Sequence, residues 1–158
     1  MSVNLPELFK IVDATAGAVT TNGGVTCDYV SLKNAIEAYI VLQFTQAQAH
    51  ATVIQPKMAT DVSGTGVASI TASQMIWSNL DTATSDTFVA RTAATSYTLT
   101  SVQKKMQVII RIDPASFGSY DVLGCTISDS SQATNFVTAL WLADTRYKRA
   151  NPPSIIID

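Results

Sequence analysis

Charge is what this chain has least of. Asp, Glu, Lys and Arg make up 14% of its 158 residues, against about 25% in an ordinary soluble domain. A solvated monomer uses surface charge to keep its copies apart; here Ser, Thr, Asn and Gln supply the polarity instead. Hydroxyls and amides cost less to dehydrate than ions, which suits a surface destined to be covered by protein. The same composition also fits a β-rich domain with a Thr-rich exterior. The few charges sum to −2, and the pI is near 5.2, so the basic face of a nucleic-acid binder is missing.

Histidine and cysteine are almost absent as well. His50 is the one histidine, and Cys27 and Cys125 are the two cysteines. A Ser-His-Asp nucleophile would have to use His50, yet no G-x-S-x-G elbow occurs. A zinc site needs more than one His and two distant thiols. His50, in "QAQAHATVI", therefore reads as a structural side chain at a strand entrance. Two thiols make no disulfide framework, and in a reducing cytosol they stay thiols. Cys125 alternates with Leu123 and Ile127 and reads as core; Cys27, in "VTCDYV", reads as strand.

Phosphate cradles are missing too. "GTGVAS" lacks the third glycine of the dinucleotide fingerprint, and no Gly-Lys-Ser/Thr follows. "DTATSD" brings Asp81 near Asp86 without the central glycine and closing glutamate of a helical calcium loop. Trp77 and Tyr97 are lone aromatics, which read as core sooner than as a sugar platform. These residues assign no catalytic group, cofactor or metal, and the expectation is a protein that is not an enzyme. No apolar run approaches the roughly 20 residues of a membrane helix, and "MSVNLPELFK" lacks a secretory pattern. Synthesis in a cytosol, with no membrane partner, is expected.

What the chain does have is period-two alternation. Ile40, Leu42 and Phe44 share one face of "AYIVLQFTQ", opposite Tyr39, Gln43 and Thr45, with Val41 as the exception. In "KKMQVIIRID", Met106, Val108, Ile110 and Ile112 point one way; Lys105, Gln107, Arg111 and Asp113 point the other. Tyr97 and Leu99 alternate with Ser96, Thr98 and Thr100. Half-buried strands require this pattern, and turn chemistry at "TNGG", "SGTG", "DP" and "FGS" separates the segments. "NFVTALWLA", 135–143, is apolar on both faces, either a buried strand or a short buried helix; its Phe, Val, Thr and Trp favour strand. "LPELFKIV" allows one helical turn after Pro6. The runs 13–24 and 80–87 are poor in bulky apolar groups and read as surface loops. The fold class expected is all-β, an antiparallel β-sandwich or jelly-roll-like single domain over 1–158. Extended terminal segments are expected to flank it: an N-terminal arm or loop region over 1–24 and a C-terminal arm over 144–158.

The end of the chain, "RYKRANPPSIIID", is apolar where free termini are usually polar. Pro152 and Pro153 hold the approach extended, and Ile155, Ile156 and Ile157 need a dry site. That site is either a neighbouring subunit or an edge of this chain's own sheet. Arg146, Tyr147 and Arg149, with Lys148, form a small basic and aromatic cluster. Three cations on an acidic chain are few for nucleic acid, and Arg and Tyr are common anchors of protein contacts. Arg146, Tyr147, Arg149, Pro152, Pro153, Ile155, Ile156 and Ile157 are thus the candidate protein-interface residues.

Two stretches, "TTNGGVTCDYVSLKNA" (20–35) and "DSSQATNFVTALWLADTRYKRANPPS" (129–154), resemble a family of small tailed-bacteriophage and prophage proteins encoded near the major capsid gene. The middle "IWSNLDTATSDTFVARTAATSYTLT" takes part in the likeness. The resemblance implies a β-rich head decoration or cement protein, commonly trimeric, with the major capsid protein and copies of itself as partners. It implies a location on the capsid exterior after assembly in the host cytoplasm, and it carries over no catalytic residue. A tail-tube or head–tail connector protein is the alternative virion part.

Overall fold

The computed structural model describes residues 4–146 and 154–156. After one helical turn, α1 (Leu5–Leu8), thirteen strands follow among the described residues. In chain order they are β1 (Phe9–Asp13), β2 (Val19–Thr20), β3 (Val25–Thr26), β4 (Val30–Ser31), β5 (Ala35–Thr45), β6 (Val53–Ala59), β7 (Ala68–Ser69), β8 (Gln74–Asn79), β9 (Val89–Ala94), β10 (Tyr97–Thr98), β11 (Lys105–Ile112), β12 (Val122–Ile127) and β13 (Phe136–Thr145). All pairings are antiparallel. One sheet runs β1-β13-β5-β11-β8-β9 with β2 beside β13; the other runs β10-β6-β12-β3 with β4 on β12 and β7 on β6. Two antiparallel sheets enclosing one core make this a β-sandwich, as the alternation required.

The inward sets are the expected ones. Ile40, Leu42 and Phe44 of β5, Met106, Val108, Ile110 and Ile112 of β11, and Leu123, Cys125 and Ile127 of β12 are all buried in one cluster. Each large side chain among them contributes about 1.5–3 kcal/mol by leaving water. The segment 135–143 is strand: Val137, Ala139, Trp141 and Ala143 of β13 face the core, with small alanines on both sides of the Trp141 indole. Trp141 Nε1 donates to the Asp28 carbonyl at 2.8 Å, so the ring is buried with its polar atom satisfied.

Pro56 lies within β6 opposite Cys125. A proline has no N–H for a ladder, and on its other side β10 reaches only Val53 and Ile54 while β7 reaches only Lys57 and Met58. The proline therefore occupies the gap between two short edge strands. Gly124 on β12 has a different role: a Cβ there would lie 2.2 Å from the Tyr29 ring, which crosses the strand at that point.

One expectation needs correction. The run 13–24 is not wholly a surface loop: Ala14, Thr15 and Thr21 are buried, and β2 pairs with β13. Small side chains suffice there because hydrogen bonds replace bulk. The Thr15 hydroxyl accepts from Ala139 N–H, and the Thr21 hydroxyl reaches Ser130 Oγ at 2.7 Å. The region 1–24, expected as an arm or loop region, thus includes among its described residues the edge strand β1 and part of the core. The run 80–87 is indeed exposed or half-buried surface between β8 and β9. Among the described residues no helix is long and apolar enough to cross a membrane.

Candidate interaction surface

A sandwich buries one face of each sheet, and the other face is normally polar. The outer face of the larger sheet is not. Strand register sets Ile11, Leu142, Tyr39, Arg111 and Met75 in one cross-strand row. The next row holds Asp13, Leu140, Val41, Ile109, Trp77 and Ala90. Val41, the exception to alternation, belongs to this second apolar surface, as do the outward Leu140 and Leu142 that made 135–143 apolar on both sides. Phe9, Tyr39, Val41, Trp77, Ile109 and Leu142 line a shallow hollow of about 450 Å³, and Ile11, Met75 and Leu140 remain exposed around it.

Polar groups frame the face. Beyond the apolar rows at one end lie Glu37 and Asp144, which face each other across β5 and β13. Glu37 accepts from the Tyr39 hydroxyl at 2.7 Å and from Arg111 Nε at 2.6 Å. Its carboxylate holds the Arg111 guanidinium above its ordinary pKa. Burial, helped by the Glu37 bond, raises the Tyr39 phenol. Phe9 packs edge-on against Tyr39 with ring centroids 6.4 Å apart. The far end carries Gln43, Gln107, Thr45 and Lys105. Rows of about 6.8 Å and strands about 4.8 Å apart give this face roughly 650 Å² across five strands and four rows. That approaches the ~800 Å² each partner gives to a standard interface, and an apolar centre inside a polar rim is interface anatomy.

The C-terminal candidates divide. Ile155 is 3% exposed within this chain's own core, and its carbonyl accepts the Ser31 N–H at 2.6 Å. Ile156 is 52% exposed and borders a hollow with Val12, Asp13, Asp28, Tyr29 and Val62. Arg146 is exposed; its N–H donates to the Asn34 carbonyl at 2.8 Å. Tyr147, Arg149, Pro152, Pro153 and Ile157 lie outside the described residues, as does Lys148. Of the expected set, none of the described residues Arg146, Ile155 and Ile156 lines the hollow of the apolar sheet face, a face that sequence reading missed. The signal was there in Val41, Ile109, Leu140 and Leu142, apolar residues at outward positions of three adjacent strands.

The remaining singled-out residues scatter. His50 is half-buried, with Nδ1 buried and without a hydrogen-bond partner. Asp81 is bonded to Lys104 Nζ at 2.5 Å, and that contact lowers its pKa. Trp77 faces outward, whereas the Tyr97 hydroxyl meets Ser78 Oγ at 3.0 Å on the inner side, so the two rings form no common platform. Among the described residues no three His, Cys, Asp or Glu side chains gather as metal ligands.

No protein-family model and no curated protein sequence matches the chain. Among solved structures it is similar to a chain of T=1 particles derived from infectious bursal disease virus. The identity is 14%, the match covers 91% of this chain and 44% of that one, and the TM-score is 0.23. A chain from the Gt strain of the same virus gives 13% identity, 85% and 39% coverage, and a TM-score of 0.19. The chain thus spans about two-fifths of the length of the solved chains it matches. Scores of that size leave the function to this chain's own geometry.

Proposed function

We propose that this chain is a structural virion protein, a decoration or cement protein on the exterior of a tailed-phage capsid. It assembles with copies of itself as a homotrimer and with the major capsid protein, without catalysis, cofactor, membrane or nucleic acid. The observation that carries the reading is the apolar outer face of the seven-stranded sheet, and its occupant is a second copy of the chain. The layout of charge supports that choice: carboxylates of Glu37 and Asp144 stand at one end, Lys105 at the other. Ends of opposite sign favour a head-to-tail contact, and head-to-tail contacts close into rings such as a trimer.

The ion-poor, hydroxyl-rich composition supports the same reading, as does the resemblance of segments 20–35 and 129–154 to the phage family. The C-terminal set serves as the contact to the capsid: Ile156 is displayed, with Arg146, Tyr147, Arg149, Pro152, Pro153 and Ile157 around it in sequence. Ile155 anchors that segment to its own subunit, as its burial requires. Repetition over many copies multiplies a modest contact into firm attachment. Imaging of the assembled particle is the test. Density for this chain on the outer surface of the head is expected; density in a tail tube or connector, or in no part of the particle, overturns the proposal.

A further inference from the structure

We propose that Cys27 and Cys125 close into an intramolecular disulfide that pins the edge of the six-stranded sheet when the chain meets an oxidising medium. The register pairs Val25 with Ile127 and Thr26 with Thr126, and its next step sets Cys27 opposite Cys125. The Cys27 N–H donates to the Cys125 carbonyl at 2.9 Å. Hydrogen-bonded antiparallel partners have Cα atoms about 5.5 Å apart, inside the ~4.4–6.8 Å that disulfides span, while their Cβ atoms, about 5 Å apart, must draw together by roughly 1 Å for the bond to close. Both are free thiols in one core cluster, 1% and 0% exposed, and the Cys125 Sγ lies 3.7 Å from the Thr126 carbonyl oxygen.

Burial protects the pair in the closed fold, and the neighbouring Cys27 thiol together with desolvation raises the Cys125 thiol well above its ordinary pKa. Reaction therefore needs local opening, and β3 is suited to it. The strand is two residues long, lies at the end of its sheet and follows the Gly23-Gly24 turn. Short edge segments open at lower cost than central ones. The oxidant required is a small disulfide such as oxidised glutathione. The Cys27 thiolate attacks it, forming a mixed disulfide and releasing one glutathione thiolate. The Cys125 thiolate then attacks the Cys27 sulfur and releases the second. The protein loses two protons and two electrons, and the oxidant becomes two thiols.

The use of such a lock rests on the virion reading: thiols persist during assembly in a reducing cytosol and close after release. The chemistry itself does not, so it is tested on the purified full-length chain. Incubate the chain with oxidised glutathione, denature it, alkylate it and weigh it. The expected product is a monomer about 2 Da lighter that takes up no alkylating agent until reduced. Closing a loop of about 100 residues should raise the Tm by roughly 5–15 °C, reversibly with reductant. Cys27→Ser and Cys125→Ser should each leave one alkylatable thiol and lose the Tm gain. Two alkylated thiols after oxidation, a stable glutathione adduct, or disulfide-linked dimers would overturn the proposal. None of those outcomes bears on where the chain sits in a particle.

Discussion

Gly124 fits tightly under Tyr29, because the ring occupies the space where a side chain would stand. Gly124→Ala should destabilise by about 1–3 kcal/mol, the usual cost of overpacking. Adding Tyr29→Ala should remove most of that penalty, a non-additivity that a double-mutant denaturation cycle reads directly. Asn135 makes a second local clamp. Its side chain accepts from Gln48 N–H and donates to the Gln48 carbonyl, both at 2.8 Å, from a buried position. Asn135→Ala strands two backbone groups and should cost about 1–3 kcal/mol in chemical denaturation. Neither pair was legible in the sequence. Tyr29 and Gly124 are 95 residues apart and Gln48 and Asn135 are 87 apart, and no local pattern announces which glycine a ring will cross.

At the scale of elements, long strands were legible and short ones were not. β5, β11 and β12 declare themselves because alternation persists over six or more residues with β-branched side chains. β2, β3 and β4 are two residues each; no periodicity can show in so few, and their neighbours decide them. The turn that brings β3 to β12 is held by Asp129, whose carboxylate accepts from Ser131 N–H at 2.6 Å and Gly23 N–H at 2.7 Å. Those bonds, the one from Ser131 foremost, lower its pKa. Asp61 is lowered in the same way by Thr65 and Ser63. A depressed folded-state pKa gives stability that is present above the unfolded value and lost as pH falls through the folded value. The denaturation midpoint should therefore drop as pH goes below the ordinary aspartate range of about 4, and Asp129→Asn should flatten that drop. An unchanged acid profile in the variant would contradict the role given to these bonds.

At the scale of the whole molecule, the sandwich was legible and its second apolar surface was not. Sequence reading sorts each strand into a buried and a solvated side. An outer face that is itself apolar looks like noise in that scheme, or like the two-sided pattern of 135–143. Only register across β1, β13, β5, β11 and β8 turns the exceptions into a continuous patch. The C-terminal isoleucines illustrate the reverse. Their need for a dry site was plain, but that Ile155 stays within the subunit is shown only by its burial and by the Ser31 N–H that its carbonyl accepts. Ile156→Asp, at an exposed position, should leave folding intact and weaken attachment to emptied heads by about tenfold or more, as loss of an interface anchor does. Undiminished binding in a co-sedimentation assay would remove that residue from the contact.

The measurement that bears most directly on the account is the mass of the purified chain in solution across a wide concentration range, by light scattering or sedimentation equilibrium. The wild type should associate to a trimer, and the Ile11→Lys/Leu140→Lys variant should stay monomeric with an unchanged circular dichroism spectrum. A wild-type chain that remains a monomer at the highest concentration reached, or a variant that still forms trimers, would contradict it.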